Sequence, residues 1–598
     1  MDALEAAFRK IALERGAQQQ KPSAPEAPPD SPAEAGDGFD QYRKPVSDAD
    51  FSSWVKLFNM DTTLGFRDQD ERFKAAFPLY EKAVEKGVPH RSAGFARIIY
   101  SLDNPPGGRM YWLERAYQHS MDAALETRDG RDQYQHINYG WAGMAAEIAM
   151  NEADSLEEKR TWAERGFSAQ NLAFQRAEAV GDRKAVREHS IQAAKMAEWL
   201  LEYTEHPEEK PYLLKRVVEW HGRAGQLSES EGRQNGAMTS YSYAITAVSV
   251  HVKDVPKQYL MDPSPLRDGK TFGEYAYDLS QKAVALGRKA GDSQHVFFNL
   301  ARAAEIAEMM CELAPMGQEP EWAERAFTDR FESGKASAGF NDEHAFVQLK
   351  KAGEFAAKKL DAGADDRRLW LMRRKDSNIK LAEVAERRKD NVTLFNCHRI
   401  ASEASAELGT MASEPQKSAY LRESYEHGTG CAAVYKAVVG AAPGKAREEP
   451  YKSVHFTEYK IGKAAAELST LTRSAESRQW TDRAVEAFAA SAEHALAQGD
   501  IPFAGQRFKD AAQQALKSAD ESDGKVKADM LVKAAGLMEN AATTAEKDHP
   551  AIARKTYYRA AEIALRLSKI TSGDEGPGWQ QESDRLTRKG RSLHDGRR

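Results

Sequence analysis

The stretch "RTWAERGFSAQNLAFQRAEAVGD" at 160–182 contains a tryptophan that is followed three residues later by an arginine. Similar short sequences occur elsewhere in the chain: "YWLERA" at 111–116, "EWAERA" at 321–326 and "QWTDRA" at 479–484. A bulky anchor residue recurs in this register at Trp112, Trp162, Leu213, Phe272, Trp322, Trp370, Tyr420, Trp480, Met530 and Trp579. The successive spacings are 50, 51, 59, 50, 48, 50, 60, 50 and 49, which predicts an internal structural repeat.

Each repeat carries the signals of two helices joined by a turn. An aspartate follows the anchor by twenty residues in six copies, and a glycine precedes it in three of them (Gly181, Gly291 and Gly499). Glycine closes a helix in the left-handed conformation, and aspartate accepts hydrogen bonds from the N–H groups that open the next helix. Alanine pairs such as Ala145-Ala146 and Ala303-Ala304 come further along. Each repeat is therefore predicted to be an antiparallel pair, with the anchor on helix A and the alanines on helix B.

This pattern resembles the tetratricopeptide-repeat superfamily, whose helix A begins with an aromatic residue and has a small residue four positions later. The matching pairs are Trp112–Ala116, Trp162–Gly166, Trp322–Ala326 and Trp480–Ala484. The period of about 50 residues, against 34 in the superfamily, implies longer helices. The resemblance implies an all-α fold, a right-handed α-solenoid of about eleven helix pairs.

The chain is predicted to have four parts: 1–46, a short amphipathic helix with a proline-rich disordered tether; 47–105, N-terminal capping helices; 106–572, the repeats; and 573–598, a basic C-terminal helix or tail. In the first part Leu4, Phe8 and Ile11 form an apolar stripe if the segment is helical. The repeats contain two insertions, at 252–270 and 440–453, which are predicted to be loops.

Composition narrows the function classes. The chain of 598 residues is 41% hydrophobic and 29% charged, and it lacks an apolar run long enough to span a membrane or serve as a secretory signal. The three cysteines are far apart, which indicates a reducing, cytoplasmic location. A net charge of −6 makes nucleic acid an unexpected partner. No catalytic, cofactor or metal-binding motif is present, so neither a cofactor nor a metal is expected.

The arginine three residues after the anchor recurs at Arg115, Arg165, Arg216, Arg325, Arg373 and Arg483. Three interpretations are open: stacking on the anchor, pairing with a helix-B carboxylate such as Glu147, Glu305, Glu354 or Glu562, and contact with a ligand. Because a residue repeated in almost every unit usually serves the repeat itself, we expect a structural role, with Arg165 and Arg325 lying against neighbouring helices.

A second row suggests a binding site. Aromatic residues stand five positions after the anchor, and polar residues follow them; the candidates are Tyr117, Phe167, Asn171, Tyr277, Gln281, Phe327, Arg330 and Asn378. In tetratricopeptide-like folds this helix-A position faces the concave groove, so the resemblance implies a protein or peptide partner held there. Core packing is the competing interpretation of the same row. The chain's own N-terminal helix is a further candidate occupant.

The expected function is therefore that of a non-enzymatic, protein-binding scaffold or adaptor. The alternatives are an enzyme with an α/α toroid fold and an RNA-binding helical-repeat protein.

Overall fold

The computed structural model describes residues 39–52, 69–126, 134–265, 269–315, 317–363, 366–571 and 575–595. Within these ranges the chain forms helices joined by turns, and the single strand-like contact is an isolated bridge between Pro263 and Thr271. The all-α prediction is confirmed. The predicted N-terminal helix and proline-rich tether (residues 1–38) lie outside the described residues.

The chain divides into two compact units, Met1–Ala290 and Gly291–Arg598. The first contains α1 Gln69–Glu85, α2 Pro89–Tyr100, α3 Arg109–Glu126, α4 Gln135–Glu152, α5 Leu156–Ala179, α6 Arg183–Tyr203, α7 Lys210–Ser230, α8 Gln234–His251 and α9 Phe272–Ala290. The second contains α10 Ser293–Leu313, α11 Glu319–Ser337, α12 Asp342–Asp361, α13 Arg367–Arg387, α14 Asn391–Met411, α15 Gln416–Ala441, α16 Val454–Leu471, α17 Ser474–Ala497, α18 Ile501–Asp520, α19 Gly524–Ala545, α20 Pro550–Ile570 and α21 Glu575–Asp595.

Within each unit every helix packs against the next one along the chain, as a helical repeat requires. The anchors lie in helix A of each pair, where Trp112, Trp162 and Trp322 are buried. The alanines of helix B, such as Ala145 and Ala146, have almost no exposed surface because neighbouring helices approach them closely. The tetratricopeptide-like arrangement of helix pairs repeating about every 50 residues is confirmed by the helices themselves.

The turns between helices follow the sequence prediction at several repeats. Gly181 and Gly499 adopt φ of +74° and +83°, the left-handed conformation that favours glycine. The Asp182 carboxylate accepts a hydrogen bond of 3.0 Å from the Ala185 N–H, and Asp500 caps α18 in the same way. One cap differs: at α12 the cap is Asn341, because the predicted residue, Asp342, binds Arg387 instead.

Both insertions contact the helices in the parts that the structure describes. In the first, Asp262 pairs with Lys215 of α7 at 2.7 Å. In the second, Tyr451 is buried, and its ring lies 5.2 Å from that of Phe395. They contribute to the packing of the repeats and are not loose connections.

The described chain begins with an aromatic contact. Phe39 is buried against α1 and α3, with its ring 5.1 Å from Phe77 and 6.1 Å from Trp112. The main chain is therefore fixed at residue 39, next to the first helix pairs.

Candidate functional site

The arginine row forms a layer of contacts between successive A helices. The guanidinium groups of Arg165, Arg325, Arg373 and Arg483 lie 4.5–4.6 Å from the ring centres of their own tryptophan anchors. Arg165 also reaches back to α3, where its Nη1 lies 2.6 Å from Glu114. Arg373 pairs with Glu324 of α11 at 2.8 Å in the same manner. Arg165 therefore lies against a neighbouring helix, as expected. Arg325 stacks on Trp322 and pairs with Glu321, both in its own helix.

The acidic partner differs from the one considered in the sequence. Helix-B carboxylates such as Glu147 were the candidates, yet Glu114 and Glu324 each stand two residues after the anchor of the preceding helix A. The sequences "WLER" and "WAER" each contain an acid and an arginine. In these two contacts the acid of one repeat pairs with the arginine of the next repeat. An acid stands two residues after the anchor in five of the ten copies, and this was the missed signal.

The aromatic row belongs to the same layer. Tyr117 packs edge-on against Trp162, with ring centres 5.8 Å apart, and Phe327 packs against Trp370 at 6.2 Å. Phe327 is 5% exposed and Tyr277 is 8% exposed, while Phe167 is partly buried 5.2 Å from Trp220. Burial also raises the pKa of Tyr117 to about 12. These long helices turn the fifth position after the anchor towards the next helix A, so most of this surface is used in packing.

The polar members of the predicted site are divided between core and surface. Arg330 is 2% exposed; its guanidinium donates to both Glu308 oxygens at 2.8 and 3.0 Å and to Gln348 at 2.9 Å, which joins α10, α11 and α12. Asn378 is buried, and its amide donates to the Arg374 carbonyl at 2.7 Å. Asn171 and Gln281 keep part of their surface exposed. The structure therefore does not bring the eight predicted residues together on one open surface.

An exposed apolar surface lies instead on a B helix. Tyr134, Ile137, Trp141 and Met144 are 51%, 41%, 37% and 41% exposed, and the partly buried Ile148 continues the series. Tyr134 directly precedes α4 and the other four lie within it. Their spacings of three, four, three and four residues continue along one face of the helix, as in the seam of a coiled coil. We call these five residues the α4 stripe.

The guanidinium of Arg97, on α2, lies 3.7 Å from the centre of the Trp141 ring and borders the stripe. Its Nη1 is buried and has no hydrogen-bond partner among the described residues, and burial lowers the pKa of this side chain. A cation therefore stands at the edge of an apolar surface, an arrangement that suits a partner with an acidic group beside apolar side chains.

The next B helix shows that the repeat does not require such a stripe. The burial pattern of α4 recurs in α6 51 residues further along, where Ala193, Met196 and Ala197 correspond to Ala142, Ala145 and Ala146. In this register Ile137, Trp141 and Met144 correspond to Glu188, Gln192 and Lys195. Since α6 carries polar residues at these three positions, the repeat does not require apolar side chains there. At the fifth position Ile148 corresponds to Trp199, which is apolar as well.

Two further observations concern other site types. Over the described ranges, no group of three or more His, Cys, Asp and Glu side chains is arranged to hold a metal ion. Nor does any helix in those ranges have the length and apolar character to cross a membrane. The three cysteines are free and buried, and burial raises the pKa of the Cys397 and Cys431 thiols to about 12.

No protein-family model matches the chain, and no curated protein matches it. Among solved structures it is similar to a circular tandem repeat protein with novel repeat topology, at 15% identity over 77% of this chain and 98% of that one, with a TM-score of 0.25. It is also similar to a Pyrococcus horikoshii STAND protein with a tetratricopeptide-repeat sensor, at 12% identity over 79% and 72% with a TM-score of 0.23. A match to yeast Tom70 has 12% identity over 81% and 98%, with a TM-score of 0.15. At these low scores the matches add nothing to what the helices show.

Proposed function

We propose that the chain is a non-enzymatic, protein-binding scaffold or adaptor, and that the α4 stripe is its contact surface. The observation that carries this proposal is the continuous exposure of Tyr134, Ile137, Trp141 and Met144 on one helix face. Leaving such side chains in water costs free energy that burial against a partner recovers, at about 25 cal/mol per Å² of apolar surface.

The spacing of the stripe fits a helix of another protein. A three–four repeat of apolar residues packs best against a second helix that carries the same repeat, because the side chains of each helix insert between those of the other. Trp141, beside Arg97, provides the large aromatic contact that commonly dominates interface energies. The preferred ligand is an amphipathic helix with an acidic residue at the border of its apolar face.

The residues predicted from the sequence enter the proposal in part. Contact of Tyr117, Phe167, Asn171 or Gln281 with a partner stays a prediction, because these side chains keep some exposed surface. The cytoplasmic location also stays a prediction.

The test exchanges the stripe for the residues that α6 carries. Protein with Ile137→Glu, Trp141→Gln and Met144→Lys should keep its melting temperature within about 3 °C, since surface substitutions usually change stability by less than ~0.5 kcal/mol. A photo-crosslinking amino acid at Trp141 should capture a discrete protein from the host, and one at Gln192 of α6 should not.

The captured protein is then purified and titrated. We expect the triple variant to bind it at least about tenfold more weakly than the parent, through loss of the apolar contact. Triple alanine substitution of Glu188, Gln192 and Lys195 is the matched control and should leave the affinity unchanged. Equal binding by parent and α4 variant would refute the proposed surface.

A further inference from the structure

The chain itself contains a segment that matches the α4 stripe. Residues 1–16, "MDALEAAFRKIALERG", carry Met1, Leu4, Phe8 and Ile11 at spacings of three, four and three residues. The stripe repeats the same spacing from Tyr134 to Met144. Two helices with this repeat can pack side by side along their apolar faces.

The place where the described chain begins puts this segment within reach. Phe39 is fixed against Phe77 and Trp112, and α3, which carries Trp112, packs directly against α4. Residues 17–38 are a spacer of 22 residues, rich in Pro, Ala and Gln. A random coil of this length spans roughly 25 Å on average and an extended proline-rich chain up to about 70 Å, whereas packed helices lie about 8–10 Å apart.

The segment carries three acidic and three basic residues, with Arg15 next in the three–four series, so the electrostatic support is a local pairing of charges. In a helical segment, Glu5 and Glu14 flank the apolar face formed by Leu4, Phe8 and Ile11. The stripe is bordered by the Arg97 guanidinium, which has no ion pair among the described residues. A carboxylate at the border of the docked segment would meet this cation.

We propose that residues 1–16 bind the α4 stripe of their own chain as an amphipathic helix and thereby compete with other proteins for it. The inference rests on the proposed function of the stripe as a contact surface. A helix of sixteen residues is marginal alone in water, so docking supplies the stability that the free segment lacks. The tether holds the segment at an effective concentration on the order of 1 mM, which favours binding within one chain over binding by a separate copy.

Disulfide trapping in the full chain tests the contact. Cysteines replace Ala12 and Met144 in one variant, and Ala12 and Lys195 in the control, in which the second cysteine lies at the corresponding position of α6; Leu4, Phe8 and Ile11 stay in place in both. We expect the disulfide between positions 12 and 144 to form at least about tenfold faster than the control under mild oxidation, and within a single chain. Equal rates in the two variants would overturn the inference, and a crosslink that appears only between chains would assign the occupant to a second copy.

A second measurement separates docking from simple proximity. A fluorescent peptide of residues 1–16 should bind the full chain about tenfold more tightly after Phe8→Ala, because the tethered competitor is weakened. A peptide with Leu4, Phe8 and Ile11 replaced by serine is the control and should not bind. Unchanged peptide affinity would refute competition by the segment, whereas unchanged partner binding in the α4 triple variant would refute the proposed function and leave the crosslink result standing.

Discussion

Trp141 and Trp162 lie on successive helices of the first unit, α4 and α5. The difference between their surroundings distinguishes a tryptophan that packs the repeats together from one that is available at the surface. Trp162 is 6% exposed, stacks with Arg165 and packs against Tyr117 of the preceding helix A. Trp141 is 37% exposed, and the guanidinium of Arg97 lies 3.7 Å from the centre of its ring. A tryptophan that recurs with the repeat holds helix pairs together, whereas one that α6 replaces by Gln192 is available for another purpose.

The largest expected difference in the free energy of unfolding is between alanine variants of the two tryptophans. Trp162→Ala should lower the free energy of unfolding by about 3–5 kcal/mol, since it removes a large buried side chain and its stacking partner. Trp141→Ala should cost clearly less, about 1 kcal/mol, because that side chain keeps 37% of its surface exposed. Urea unfolding followed by circular dichroism measures both, and similar losses in the two variants would remove the distinction.

Phe327→Ala tests whether the aromatic row belongs to the scaffold. Phe327 is 5% exposed against Trp370 and Arg373, so we expect a loss of about 3 kcal/mol in the free energy of unfolding of the second unit. Thermal unfolding of the variant checks this. A variant of unchanged stability that fails to bind a partner would return Phe327 to the role of a groove residue.

The partly buried His189 on α6 should make the free energy of unfolding depend on pH. Burial lowers the pKa of His189 to about 4, with His136 adding to the effect and Asp182 opposing it. The unfolded residue titrates near 6.5, so only the unfolded state gains a proton between these values. This contribution to stability is full above about pH 6.5 and is lost as the pH falls towards 4.

The measurement is the free energy of unfolding between pH 7 and 4.5 for the parent chain and for His189→Gln. We expect the parent to lose about 1–3 kcal/mol more than the variant, because one unit of pKa shift corresponds to ~1.4 kcal/mol. His206→Gln, at an exposed position, is the control and should follow the parent. Parallel curves for His189→Gln and the parent would contradict the assignment.

The smallest effect is expected for the ion pair that joins successive A helices. Arg165 and Glu114 lie 2.6 Å apart, but each side chain is 38% exposed, so water screens the pair. A double-mutant cycle with Arg165→Gln and Glu114→Gln should give a coupling of about 0.3–1 kcal/mol. A coupling near zero would assign the role of Arg165 to its stacking on Trp162 alone.

The fold could be predicted from the sequence because local residues mark where the helices of a repeat begin and end. The anchor spacing, the glycine of Gly181 and the cap of Asp182 are local signals, and each appears in the structure where it was expected. The partner of Arg165 was missed because it lies 51 residues away, on the preceding helix A, and spacing within one repeat does not reveal it.

The candidate site was harder to predict because the direction in which a helix-A side chain points depends on how that helix packs against its neighbours. Whether Phe327 faces a groove or the next helix depends on how far a long helix is rotated in its pair, and the apolar residue itself is the same in both cases. The α4 stripe could be read as a three–four pattern at Tyr134, Ile137, Trp141 and Met144. Its exposure depends on which face of α4 the neighbouring helices cover, and the structure shows this directly.

The contact between Glu114 and Arg165 has a consequence for how such a chain can change its length. At this place in the first unit one repeat presents an acid and an aromatic ring, and the next receives them with an arginine and a tryptophan. Glu324, Phe327, Trp370 and Arg373 form the same contact in the second unit. Removing or duplicating one whole repeat would therefore join surfaces that already fit, because contacts run only between neighbours. Half a repeat would join two unlike surfaces, so gene rearrangements in multiples of about 50 residues are those that the architecture tolerates.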